Sequence, residues 1–143
     1  MPNWCTNKVR IGANPETIEE LLDAKLSFET LMPRPQDDKD WYEWNIKHWG
    51  TKWDHSDFHL VEQGRKGFIA SFNTAWSPPF AFFQALCEKK KDLWVKCDWN
   101  EEGGYAGVFV MHWDEEKGEV NVKSLDWDDW CMEEWDDRIM QKS

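Results

Sequence analysis

The hydrophobic period of this chain switches repeatedly between two and about 3.6 residues, and that alternation limits its fold more than any other feature. Residues 5–12, CTNKVRIG, alternate apolar and polar as a strand with one buried face does. Gly12-Ala13-Asn14-Pro15 breaks the run. A helix is expected next: Asn14 stands at the cap and Pro15 at the first turn, Glu16, Glu19 and Glu20 complement the dipole, and Ile18, Leu21, Leu22 and Leu26 recur at helical spacing. Ser27 to Lys39, with Pro33, Pro35 and the charged run Asp37-Asp38-Lys39, reads as a loop.

WYEWNIKHW, residues 41–49, places Trp41, Trp44, Asn45 and His48 at i, i+3, i+4 and i+7, a short helix with Gly50 at the left-handed exit. Phe58, Leu60 and Gln63 mark a strand, Gly64 to Gly67 a hairpin turn, and Phe68, Ala70 and Phe72 the returning strand. Ser77 is placed to cap a second helix, with Pro78 and Pro79 in its first turn and Phe80, Phe83 and Cys87 on one face. Val95, Cys97 and Trp99 form a further strand. Gly103-Gly104 turns it into Tyr105 to Trp113, and Lys117-Gly118 leads on to Val120 and Val122. Trp127, Trp130, Cys131, Trp135 and Ile139 share one stripe, which predicts an amphipathic, acidic helix over about 124–141.

The resulting order is βαββαβ, an α+β ferredoxin-like split antiparallel sheet with both helices on one face. A looped helical insertion occupies 27–56, and a hairpin and the terminal helix are added after the core pattern. A chain of 143 residues suits one domain spanning 1–143, and twelve tryptophans and eight phenylalanines supply much of its core. No apolar run reaches the roughly 18 residues of a membrane span. MPNWCTNKVR holds no signal-type apolar stretch, so a cytoplasmic location is expected.

The net charge of −11 is uneven: residues 1–97 hold 14 acids and 13 bases, whereas 98–143 hold 14 acids and four bases. Direct grip on nucleic acid is not expected, because phosphate contacts need clustered lysine and arginine. The acidic segment suits a solvated face or a basic host partner met through Asp128, Asp129, Glu133 and Asp136. Cys5, Cys87, Cys97 and Cys131 form no CxxC pair and are expected to be reduced and buried.

Several segments resemble, in order, the YubB-like ferredoxin-like domain family of phages, plasmids and genomic islands: MPNWCTN, WNIKHWGTKWD, FNTAWSPP and NEEGGYAGVF. The likeness runs from Met1 to about Val110. It implies a ferredoxin-like fold and a viral or mobile-element origin, and it brings no established reaction. The name describes topology, and the cysteines are not spaced for an iron–sulfur cluster.

The candidate site follows from turn chemistry around tryptophan. Asn3 and Trp4 begin the first strand, Trp49, Gly50, Thr51, Lys52 and Trp53 leave a helix, and Asn73, Thr74, Trp76 and Ser77 leave a strand. If these ends converge, the indoles offer flat stacking surfaces, Lys52 a cation, and Asn73, Thr74 and Ser77 hydrogen bonds, a mixture suited to a small planar ligand. The same residues also suit a packed loop with Lys52 stacked on a ring, or a protein-partner surface.

Other clusters are weaker. Asp54, His55, Asp57 and His59 have metal-ligand chemistry, but on a strand residues four apart diverge, and surface histidines are the expectation. Glu101 and Glu102 could act as paired carboxylates, and Pro2 as an N-terminal base, but no recognisable catalytic spacing accompanies them. The chain is therefore read as a noncatalytic binding protein without metal or cofactor, taking a planar ligand or engaging a host factor in counter-defence. The rival readings are an acidic mimic of nucleic acid and an enzyme acting on a nucleotide-like substrate.

Overall fold

Strand β1 (Trp4–Gly12) is the centre of the molecule. In the computed structural model, which describes residues 3–35 and 40–125, it pairs antiparallel with β3 (Gly67–Ala75) on one side and β4 (Trp94–Glu101) on the other. With β2 (Ser56–Gly64), β5 (Ala106–Asp114) and β6 (Glu119–Leu125) the sheet order is β2-β3-β1-β4-β5-β6, antiparallel throughout. The first four strands have the ferredoxin-like order, and the β5–β6 hairpin extends the sheet beyond β4.

Alternation along β1 decides the layers. Cys5, Asn7, Val9 and Ile11 are buried, whereas Thr6 and Lys8 are exposed and Arg10 is half-buried. The buried face joins one core with Ile18 and Leu21 of α1 (Pro15–Asp23) and Phe82, Phe83, Leu86 and Cys87 of α4 (Phe80–Lys89). Both core helices therefore lie on one side of the sheet. On the other side Lys8 stands opposite Asp98 and Arg10 opposite Lys96. Burial pushes the Asp98 carboxyl up, against the pull of Lys96 and Lys8.

Helix α1 stops three residues before Leu26, the last position its spacing suggests. Lys25 and Leu26 both have positive φ, the Leu26 N–H bonds Leu21 O at 3.0 Å, and the Lys25 N–H bonds Leu22 O at 3.0 Å. This is a Schellman ending, with Leu21 and Leu26 both fully buried beside it. At its start Asn14 has the cap position but its side chain makes no capping bond.

The stretch read as a loop after Ser27 contains a one-turn helix, α2 (Phe28–Leu31). Ser27 Oγ accepts the Thr30 N–H at 3.2 Å and donates to Asp54 at 2.7 Å, while the Asp54 carboxylate also takes the N–H groups of Phe28 and Glu29. A four-residue helix has too few internal bonds to stand alone; a carboxylate from a distant part of the chain holds its first turn. Helix α3 (Trp41–His48) then ends at Gly50, with φ +81°, as its spacing predicts.

Strand β2 is an edge, mostly exposed, with register shifts between Ser56 and His59 and between Leu60 and Glu62. Such irregularities blunt an edge that would otherwise invite another strand. Asp57, at φ +55°, sits in the first of them. No helix among the described residues is long and apolar enough to cross a membrane. The terminal helix expected from about Ser124 does not begin there, since β6 runs on to Leu125; the rest of it, with Asp128, Asp129, Glu133, Asp136 and Cys131, lies outside the described residues.

Candidate functional site

Three distant segments meet at one end of the sheet. The Trp76 N–H bonds Asn3 O at 2.9 Å, and Ser77 Oγ donates to Gly50 O at 2.6 Å. The Phe82 N–H reaches Trp49 O at 3.3 Å, and the Glu102 N–H bonds Trp4 O at 3.0 Å. The start of β1, the exit of α3 and the exit of β3 are thus stitched together, with the β4–β5 turn alongside.

Of the residues expected to line a site, five are scaffold. Gly50 packs so closely that a side chain would come within 3.1 Å of Ala81 N and 3.2 Å of Phe80 N, at a φ that already disfavours one. Thr51, fully buried, donates to Trp53 O at 2.7 Å and so tightens the turn. Thr74, also fully buried, accepts from Asn7 Nδ2 at 2.9 Å and donates to Ser77 O at 2.6 Å. Asn73 donates to Asp57 at 3.1 Å. Ser77 does not cap α4: Pro79 holds that position, and the Ser77 hydroxyl is engaged with Gly50 instead.

Trp49 belongs to the core rather than to an open wall. It is 3% exposed, its Nε1–H donates to Met32 O at 3.0 Å, and its ring packs on Phe28 and Trp44. The indoles of Trp49, Trp53 and Trp76 therefore do not share one cavity. Beneath the same turn Asn45, on α3, donates to Lys52 O at 2.7 Å while its Oδ1 has no partner.

Trp4, Lys52, Trp53 and Trp76 make a strip. The Lys52 ammonium lies 4.8 Å from the Trp53 ring and 5.0 Å from the Trp76 ring, a cation held between two indoles. Trp4 adjoins Trp53 at 6.3 Å. In the other direction Trp76 meets Tyr42 edge-on at 6.1 Å, Tyr42 meets Trp41 at 6.0 Å, and the Arg34 guanidinium stands 5.9 Å from the Trp41 ring. Trp41, Tyr42 and Trp76 are each about 40% exposed. Trp41, Tyr42 and Arg34 were not anticipated. The signal was present in Trp41-Tyr42: adjacent aromatics lie about 100° apart on a helix, so a narrow buried stripe cannot hide both.

Trp76 has an unusual backbone. Its φ is +70°, and the Ser77 N–H bonds Ala75 O across it at 2.9 Å, the pattern of the uncommon γ-turn with positive φ. A large L-residue there is strained by about 1–2 kcal/mol. The strain directs a ring outward that recovers only part of its burial.

The remaining clusters separate. Asp54 is consumed in capping α2 and bonding the His55 N–H at 2.8 Å. His55 is not a surface histidine: it packs on Phe28, Phe58 and Phe72, and its Nε2 lies 2.9 Å from Lys25 O, so Nε2 carries the proton. His59 is exposed. Among the described residues no group of three or more histidine, cysteine or acidic side chains could hold a metal ion. Glu101 is buried and Glu102 exposed, so they do not form a carboxylate pair. Cys5, Cys87 and Cys97 are free and buried, and burial pushes the Cys5 and Cys87 thiols up to about 12 and Cys97 well above its ordinary value.

The strand order defines the class, a ferredoxin-like α+β protein. Residues 48–142, about two thirds of the chain, match the family described as a ferredoxin-like domain in Api92-like protein, and the chain belongs to that family. No curated protein and no solved structure matches it.

Proposed function

We propose that this is a noncatalytic binding protein whose aromatic and cationic strip captures a small planar ligand. The observation that carries the reading is Trp76, an exposed indole kept on a strained backbone beside a lysine that another indole also flanks. Strain spent on packing would be recovered by burial; here the ring stays 41% exposed. Rigid indoles supply stacking area at small entropic cost, and Lys52 and Arg34 supply positive charge along it. Trp49, Gly50, Thr51, Asn73, Thr74 and Ser77 act behind the strip as its frame.

A cytoplasmic protein of a virus or mobile element, akin to the YubB-like proteins, fits the motifs WGTKW and TAWSPP, and its service to such an element would be removal of a host metabolite or occupation of a host factor. The acidic mimic is the second reading, favoured by the 14 acids against four bases from residue 98 onward. Native mass spectrometry of the protein purified from cells separates the two. Capture predicts a small-molecule adduct that is lost in Trp76→Ala while the fold persists. If no adduct forms, and no planar compound in a nucleoside and heterocycle panel quenches the tryptophan fluorescence, capture is wrong.

A further inference from the structure

The helices account for one face of the sheet. Helices α1, α2 and α4 send their buried side chains into the core, and α3 adds Trp44 to it, on the face that also carries Val9, Cys97 and Phe109. Lys8, Arg10, Lys96, Asp98, Val108 and Val110 alternate with these and point the other way. Among the described residues no helix lies over that second face. A bare sheet face is wet, and along β1 it is, with Thr6 and Lys8 exposed. Across β4 and β5 it is dry: Val108 is 2% exposed although it is no part of the core cluster, and Lys96 is 6% exposed.

Lysine is almost never buried to that degree unless paired. Directly across from Lys96 on one side stands Arg10, a like charge, and on the other Val110. Asp98 supplies one carboxylate for Lys8, Arg10 and Lys96, and burial pushes that carboxyl up despite Lys96 and Lys8. A cover for this patch must therefore bring acids as well as apolar area. The chain itself continues from the rim of the patch, because β6 ends at Leu125, the partner of Val108. Residues 126–143 hold seven acids and two bases, with Trp127, Trp130 and Trp135 among the acids. From β6 over β5 and β4 to β1 is about 14 Å, a distance that about ten residues of helix span. We propose that this face seats the chain's own acidic terminal segment, its tryptophans over Val108 and Val110 and its carboxylates over Lys96, Arg10 and Lys8. The fold then has three layers. Asp128, Asp129, Glu133 and Asp136 are engaged within the chain, so a basic partner meets them only by displacing the segment. This docking is independent of ligand capture by the aromatic strip.

Carbodiimide cross-linking of the intact chain at low concentration, read by mass spectrometry, tests the docking without a variant, since it joins a lysine to a carboxylate in contact with it. Links are expected within the monomer from Lys8 or Lys96 to acids between Asp126 and Asp137. Digestion with a protease that cuts after glutamate adds a rate: cleavage at Glu133 and Glu134 should be about tenfold or more slower in the unmodified protein than in Lys96→Glu or Val108→Asp, and tenfold corresponds to about 1.4 kcal/mol of docking. Circular dichroism checks that each variant is folded; should either fail to fold, the cross-links alone decide. No link from the segment to Lys8 or Lys96, while the Lys90–Glu20 ion pair is joined, overturns the proposal. Links found only between two chains assign the face to a second copy and overturn it equally. So does cleavage at the same rate in the unmodified protein and both folded variants.

Discussion

Replacing Trp76 separately by alanine and by glycine tests whether its backbone is strained. Either change removes the edge-on contact with Tyr42, worth about 0.5–1.5 kcal/mol. Either also removes the Lys52 contact, worth about 0.5–1 kcal/mol at an exposed site. Trp76→Ala keeps a β-carbon at φ +70° and so should lose the two contacts together, about 1–2.5 kcal/mol of stability. Trp76→Gly loses the same contacts but is relieved of about 1–2 kcal/mol of left-handed strain, against about 0.5–1 kcal/mol for the greater freedom of an unfolded glycine. The glycine variant should therefore be the more stable of the two, by about 0.5–1 kcal/mol, which reverses the order found at ordinary positions. Urea unfolding followed by far-ultraviolet circular dichroism gives both values, provided the slopes agree. Alanine equal to or better than glycine would show that the turn at 76 relaxes without cost, and the case for a ring held outward by design would collapse.

Thr74→Val should cost about 1–3 kcal/mol in the same assay, because it strips a partner from both buried Asn7 Nδ2 and Ser77 O while keeping the shape. The thiols give a pH signature: below pH 9 they are neutral in both states, and above it the unfolded chain ionises while the folded one resists up to about 12. Their contribution to stability is thus intact below pH 9 and lost as pH rises toward 12, and in a Cys131→Ser background the native protein at pH 8 should react with a thiol reagent only at its unfolding rate. Asp54→Ala should release α2 and cost about 2 kcal/mol, seen as lost amide protection at Phe28 and Glu29.

The frame of this fold was legible because it rests on short-range rules. Alternation in CTNKVRIG gave β1, and Gly50 gave the end of α3. What escaped depends on distant partners. Helix α2 exists through Asp54, a residue that no local window around Phe28 includes. Ser77 has every local mark of a cap, yet its hydroxyl is claimed by Gly50 O, which reaches it only after the loops converge. The tryptophans posed the hardest case. Turn residues around Trp49, Trp53 and Trp76 look alike in sequence, but Met32 O captures the Trp49 indole and draws it inward, while positive φ turns Trp76 out. Exposure of Trp41 was masked by a helical stripe that matched a buried face, whereas Tyr42, outside that stripe, already pointed to an outward ring.

The family match begins at His48, which leaves β1 and α1 outside it. Physically these cannot be spared. β3 and β4 have no pairing with each other; β1 lies between them and pairs with both along nearly its whole length. The strip needs it too, since Trp4 is one of its rings and Asn3 O holds the Trp76 N–H. A chain starting at residue 48 would have to close β3 onto β4 directly, and Phe72 and Cys97, which flank Asn7 and Val9 in the sheet, would lose those neighbours. Deleting residues 1–13 should therefore abolish the cooperative urea transition rather than lower its midpoint, and adding the β1 peptide in trans should restore both the transition and any ligand-induced fluorescence change. A truncated chain that unfolds cooperatively and still binds would mean that the sheet reorders around the matched segment, and that the central strand is an addition rather than the keystone of both fold and site.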